Sequence, residues 1–283
     1  MALSKEKIDF LEKKAYNIRE HIIEACINHG DGHAGPSLSC TDILAVLYMD
    51  IMKLDVDNPK SKDRDYFILS AGHKCLALYG TLVEKGFEPA SIMDTYNQLD
   101  TPIPGHPDRD KFRGVDFSTG SLGHGLPLAC GLAKGLKLRN QSNKVYVLMG
   151  DGEQGEGSIW EAAAYASHNK LDNIIAFIDK NGLQINGTTK DVLNTNSLKE
   201  RYEAFGWEVK EINGHDVKEI HETVSSAPFT QGKPSLIIAN TVKGKGLSFA
   251  ENNLSYHHWD PGEEEANIAR EELSKIGKRW HSE

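Results

Sequence analysis

Two short stretches of the chain carry oxygen-bearing side chains at a spacing that suits a metal-bound diphosphate. The first is Gly150-Asp151-Gly152, which follows the apolar run Val145–Met149 and opens a helical pattern. The second is FIDKNGLQINGTT, which holds the end of the next apolar run and, thirty positions beyond Asp151, Asn181. Strands that end side by side would bring three donors together: the Asp151 carboxylate, the Asn181 amide oxygen and the backbone carbonyl two residues on, at Leu183. Mg²⁺ takes about six such hard oxygens and draws some of them from phosphates and water. Gly152 would let the backbone approach an anion at a helix N-terminus, where free N–H groups favour it. Yet the loop GDGEQGEG carries Asp151, Glu153 and Glu156 and neither Lys nor Arg. A divalent cation on Asp151 reverses that local charge and removes the conflict. Glu153 has no evident task.

The same tripeptide at Gly30-Asp31-Gly32 follows a helical pattern, with Ser61 thirty positions beyond Asp31, and reads as a turn. Three segments, 28–38, 99–125 and 240–261, resist any regular pattern. Long structureless segments in a compact domain are usually functional or disordered. These hold His33, His106, His124, His257 and His258. A neutral imidazole near pH 7 can pass protons to and from hydroxyls. His33, His73 and His106 sit in Gly- or Pro-flanked motifs and read as functional. His21, His29, His168, His215, His221 and His281 read as surface or satisfied core residues.

Such groups must be presented by strand ends. Apolar runs at Tyr66–Leu69, Val145–Met149, Ile174–Ile178, Trp207–Ile212 and Leu236–Ala239 read as strands. Helical patterns at Thr41–Met52, Lys74–Lys85, Gly125–Leu138, Ser158–Asn169 and Val217–Ser226 separate them. This alternation predicts an α/β fold, doubly wound, with a mostly parallel sheet and helices on both faces. Residues 1–283 read as one domain with an N-terminal amphipathic helix and a C-terminal helical tail. A net charge of −9 argues against a broad nucleic-acid surface. Cys26, Cys40, Cys75 and Cys130 stand alone, as reduced thiols do. No run suits a signal peptide or a bilayer span, so the expected location is the cytoplasm.

In order, the chain carries GHAGPSLS at 32–39, FILSAGH at 67–73, PGHP at 104–107 and STGSLGHG at 118–125. GDGEQGEG at 150–157, DKNGLQINGTT at 179–189, TVKGKG from 241 and YHH ending at 258 follow. With this series the sequence resembles the N-terminal, diphosphate-binding part of transketolase over essentially its whole length. The resemblance implies thiamine diphosphate with Mg²⁺, or Ca²⁺ or Mn²⁺, held by Asp151, Asn181 and Leu183. It implies that Gly152, His73, His257 and Lys243 meet the diphosphate end and that the Gly120-Leu122-Gly123 turn runs beside the cofactor. His33 and His106 would hydrogen-bond the sugar hydroxyls. His258 stands where related sequences often have Gly, and His124 where many have Gln.

The implied reaction moves a two-carbon ketol unit from a ketose phosphate, such as xylulose 5-phosphate, to an aldose phosphate, such as ribose 5-phosphate. In the family the activating glutamate comes from a pyrimidine-binding domain, which the resemblance leaves to a second chain. The expectation is a split transketolase whose separate C-terminal subunit completes the site, two copies of each, with Glu156 and Glu161 at that contact. Alternatives are a transketolase-like subunit for a modified sugar, an alpha-type subunit of another thiamine diphosphate enzyme, and a non-catalytic binding subunit. The alpha chain of 2-oxo acid dehydrogenases lacks the ordered histidine motifs, and deoxyxylulose-phosphate synthase carries both domains in one chain.

Overall fold

The computed structural model describes residues 3–280, and His281 lies outside it. Helix α1 spans Lys5–His29: the Ser4 side chain caps it at Lys7, and Gly30 ends it in the left-handed region at φ +81. Its apolar stripe, including Leu11, Ala15, Ile18 and Ile22, is buried. The strands are β1 (Tyr66–Leu69), β2 (Val145–Gly150), β3 (Ile174–Lys180), β4 (Glu208–Asn213) and β5 (Ser235–Asn240). They form one sheet in the order β1-β2-β3-β5-β4. Every pairing is parallel. β2 is buried throughout and β3 to its penultimate residue, which is why both read as unbroken apolar runs.

Alternate residues divide between two cores. Phe67, Leu69, Tyr146, Leu148 and Phe177 face one side, with α1, α3 (Thr41–Val46), α4 (Cys75–Lys85) and α9 (Val217–Ser225). Ile68, Val145, Val147, Ala176 and Ile178 face the other, with α5 (Gly125–Leu138), α6 (Gly157–His168) and α8 (Leu198–Ala204). The doubly wound α/β expectation therefore holds. α10 (Glu263–Gly277) is the helical tail.

Three details differ from the sequence expectation. The turn-rich segment 28–38 contains a short helix, α2 (Ala34–Ser39), all six of whose residues are buried. Its AGPSLS sequence has little helical preference, and burial supplies the stabilisation. The helical pattern Thr41–Met52 is α3 followed by a wider π-type turn at Leu47–Ile51. Helices α7 (Thr189–Leu193) and α8 are too short for a periodic signal, yet side chains of Thr188 and Ser197 cap them. In register, Gly150 lies opposite Asp179, and Asp179 opposite Ala239. The carboxyl ends of β2, β3 and β5 thus form one edge, where open parallel sheets bind ligands.

Candidate active site

The floor of the site is a buried ion pair. Asp179, at the end of β3, is fully buried and accepts bonds from Lys74, Ser39 and Thr241. Burial opposes both charges, but their attraction outweighs it: the Asp179 carboxyl is held below its ordinary range and the Lys74 ammonium above it. The Asn181 amide nitrogen donates to Asp179 at 3.4 Å and to Ser39 at 3.5 Å. That orients Oδ1 the other way, where it accepts the Leu183 amide at 3.1 Å. Asp151 accepts the amides of Gly152 at 2.9 Å and Gly182 at 2.6 Å. Burial, then the Asp179 charge, push Asp151 up to about 6. Negative charge at Asp151 is thus incompletely matched, and the donors around it are hard oxygens. Both features fit a divalent cation.

The loops at this edge of the sheet are sewn together by Glu153. This residue is 2% exposed and accepts the Gly123 amide at 2.7 Å, the Gly150 amide at 3.0 Å and the Ser70 hydroxyl. Ser70 in turn accepts the Gly125 amide at 3.1 Å. Loops following β1 and β2 and the turn leading into α5 therefore share one buried carboxylate. Gly123 has φ +81, and a Cβ there would stand 2.5 Å from Glu156 Cβ. No other residue type fits that close approach.

Above this floor stands a row of imidazoles. The His33 ring centroid lies 5.6 Å from His73, 6.2 Å from His106 and 5.5 Å from His257, and His73 lies 5.3 Å from His257. Burial first, then neighbouring positive groups, lower His33 to about 4 and His257 to about 3. Burial lowers His106 as well, and His73 is driven far down by burial and Lys74. At neutral pH these are neutral rings, each with one nitrogen that donates and one that accepts a hydrogen bond. Lys243 is 1% exposed and bonds His257 Nδ1 at 2.8 Å. Burial, then Lys74, lower its ammonium to about 8.

The loop bearing Lys243 is held from behind. The Val242 amide donates to His215 Nε2 at 2.8 Å, and His215 Nδ1 bonds Asp42 at 2.7 Å. Asp42 also takes both guanidinium nitrogens of Arg19, at 2.9 and 2.6 Å.

Residues 11–278 match the family model described as transketolase, thiamine diphosphate binding domain. The chain belongs to the transketolase family. It is 45% identical to an apulose-4-phosphate transketolase subunit of Actinobacillus succinogenes, covering 94% of this chain and 96% of that one. It is 42% identical to a 6-deoxy-6-sulfo-D-fructose transketolase subunit of a Clostridium species, covering 97% of this chain and 100% of that one. Among solved structures, the transketolase of Campylobacter jejuni superposes with a TM-score of 0.87 at 33% identity. The match covers 94% of this chain and 43% of the Campylobacter chain, so this transketolase domain spans under half of the solved enzyme's length.

Thiamine diphosphate is the ligand of the matched family domain, and the cleft fits its diphosphate end. One cleft of about 370 Å³ brings His33, His73, His257 and Lys243 together with Gly120, Leu122 and Glu156. Asp151, Gly152, Asn181 and Leu183 line the same cleft. A Cβ on Gly152 would stand 2.8 Å from Gln184 Cγ, so glycine keeps this approach open. His106 and Gly123 stand beside the cleft: a Cβ on Gly120 would lie 3.4 Å from His106 Cδ2, and Gly123 serves through its bond to Glu153. His124 is exposed and its Nδ1 lies 3.1 Å from the Leu122 carbonyl, outside the cleft.

Sequence reasoning missed Lys74, Asp179, Ser39, Ser70, Thr241 and the task of Glu153. It also took His215 for an ordinary residue, although the ring holds the loop of Lys243. One signal was available: Asp179 directly follows the apolar run Ile174–Ile178, where burial demands a partner for a charge.

Proposed function

We propose that this chain, acting as a single thiamine diphosphate-binding domain over residues 1–283, is the cofactor- and metal-binding subunit of a two-subunit transketolase. The observation that carries the reading is one cleft lined by both the Asp151, Asn181 and Leu183 oxygens and the neutral rings of His33, His73 and His257. Relatives named as transketolase subunits match it end to end. A separate C-terminal, pyrimidine-binding subunit would complete the site, in an assembly of two plus two.

Thiamine diphosphate, when bound, supplies the electron sink that lets a carbon–carbon bond beside a ketose carbonyl break. The chain's own residues bind, orient and move protons. Asp151, Asn181 and the Leu183 carbonyl hold Mg²⁺, which Ca²⁺ or Mn²⁺ can replace. Gly152 amide, His73, His257 and Lys243 meet the diphosphate. Gly120, Leu122 and Gly123 wall the cofactor. His33 and His106, with His257, hydrogen-bond the sugar hydroxyls and relay their protons. Glu156 and Glu161 are exposed along the start of α6 and face the partner subunit.

The donor is a ketose phosphate and the acceptor an aldose phosphate, with xylulose 5-phosphate and ribose 5-phosphate the first pair to assay. A modified ketose is the second reading, supported by the relatives named for apulose 4-phosphate and 6-deoxy-6-sulfo-D-fructose. The test is to co-express the chain with the candidate C-terminal subunit, then to assay all four sugars with and without thiamine diphosphate and Mg²⁺. The expected outcome is turnover only by the pair, lost on chelation, with light scattering giving the mass of two plus two. Turnover by this chain alone would refute the split reading. A complex that binds thiamine diphosphate yet turns over no sugar would identify a non-catalytic subunit.

A further inference from the structure

The first Gly-Asp-Gly, at residues 30–32, takes no part in the metal and diphosphate end of the cleft. It stands instead at the outer end of the histidine row. Asp31 pairs with His258 Nδ1, and the His258 ring lies edge-on to His33, with centroids 4.2 Å apart. This is the shortest ring-to-ring distance that His33 makes in the row, and it extends the row to a fifth imidazole.

The fold fixes that position from two sides. Gly32 and Trp259 exchange two backbone hydrogen bonds, at 3.0 and 2.8 Å. A Cβ on Gly35 would meet the Tyr256 carbonyl oxygen at 2.3 Å, so the segment around residues 256–259 is pressed onto the loop bearing His33. The two side chains nevertheless stay accessible, His258 at 50% and Asp31 at 41%. A tethered ring, hydrogen-bonded to Asp31, that remains open to solvent beside a substrate-facing histidine is placed for contact with a ligand.

We propose that Asp31 and His258 form the outer wall of the sugar channel and select sugars by the hydroxyls that lie beyond the reacting carbons. The proposal rests on the transketolase reading above. With its Nδ1–H committed to Asp31, His258 keeps Nε2 as an acceptor for a sugar hydroxyl. Asp31 is the positioning residue that orients the ring. Its carboxylate also repels a phosphate or sulfonate at this spot, so the neighbouring carbons carry hydroxyls and the anionic group lies elsewhere.

The test uses the assembled two-subunit enzyme with its best ketose donor and two acceptors, glycolaldehyde and ribose 5-phosphate. Glycolaldehyde is too short to reach the wall. In His258→Gly, the ratio of kcat/KM for ribose 5-phosphate over glycolaldehyde should fall about tenfold, the scale of one lost hydrogen bond. The change should lie in KM. Asp31→Asn, which keeps the shape and weakens the hold on the ring, should shift the ratio the same way by a smaller factor. A purely structural role would lower both acceptors alike, so an unchanged ratio or an equal loss overturns the proposal. Absence of turnover with both acceptors in the unaltered complex overturns the transketolase reading for this donor, and this assignment with it.

Discussion

The Glu153 carboxylate accepts the Gly123 amide at 2.7 Å, and with it one buried acid ties the Gly120-Leu122-Gly123 turn to the turn that follows β2. In Glu153→Gln, the side-chain NH₂ would have to face the Gly150 or Gly123 amide, donor against donor. Each charge-assisted bond of this kind is worth about 1.5–3 kcal/mol. Thiamine diphosphate binding should weaken roughly 10- to 100-fold, as read by calorimetric titration of the chain. Unchanged affinity would show that the turns hold their places without this acid.

Removing one member of the buried Lys74–Asp179 pair leaves an uncompensated charge, a cost of about 3–5 kcal/mol. Lys74→Met should therefore unfold at markedly lower denaturant. The double variant Lys74→Met, Asp179→Leu should regain much of that stability, since an apolar pair of similar volume avoids the desolvation cost. It should not regain metal-dependent cofactor binding, because Asn181 loses the partner that orients its amide. Urea titration and metal-dependent binding measured on both variants separate the two roles.

His215→Ala leaves the Val242 amide without the acceptor it has at 2.8 Å. A fully buried donor left unmet costs about 1–3 kcal/mol, and the part-buried Val242 amide should lose less than that. Hydrogen exchange at Val242 should accelerate, and the ordering of Lys243 should suffer with it. Full protection of that amide in the variant would exclude His215 as the anchor of the loop.

The histidine row makes stability depend on pH with a defined sign. His33 is lowered from 6.5 to about 4, chiefly by burial. Between those values the unfolded chain binds more protons than the folded one, so stability rises with pH. The contribution is complete above about 6.5 and is lost as pH falls from there towards 4. Denaturant midpoints across pH 4–8 should show this slope, and His33→Asn should flatten it. A slope unaffected by the substitution would place the titration in other groups.

Much of the fold was legible in the sequence because the sheet is parallel and covered on both faces. Strands buried on two sides must be apolar throughout, so Val145–Gly150 and Ile174–Lys180 announce themselves locally. Helices α2, α7 and α8 did not, because five to seven residues carry too little periodicity and their formation depends on what they pack against. That Asp151 and Asn181 line one cleft was legible for a similar reason. Asp151 and Asn181 end neighbouring strands, and the single connection between those strands fixes their spacing.

By itself, then, the sequence determined the alternation of strands and helices, the Asp151, Asn181 and Leu183 oxygens, and His33, His73 and His257, which line the same cleft. Only the tertiary structure decided what supports and borders them. Lys74 meets Asp179 across 105 positions, Ser70 meets Glu153 across 83, and Asp42 meets His215 across 173. Asp31 reaches His258 from nearly the other end of the chain. Local periodicity reports which face of an element is buried, but not which distant group will share that burial. A buried charge announces that it needs a partner. Packing alone names the partner, because only the folded chain brings the two strand ends, turns and loops within hydrogen-bonding distance.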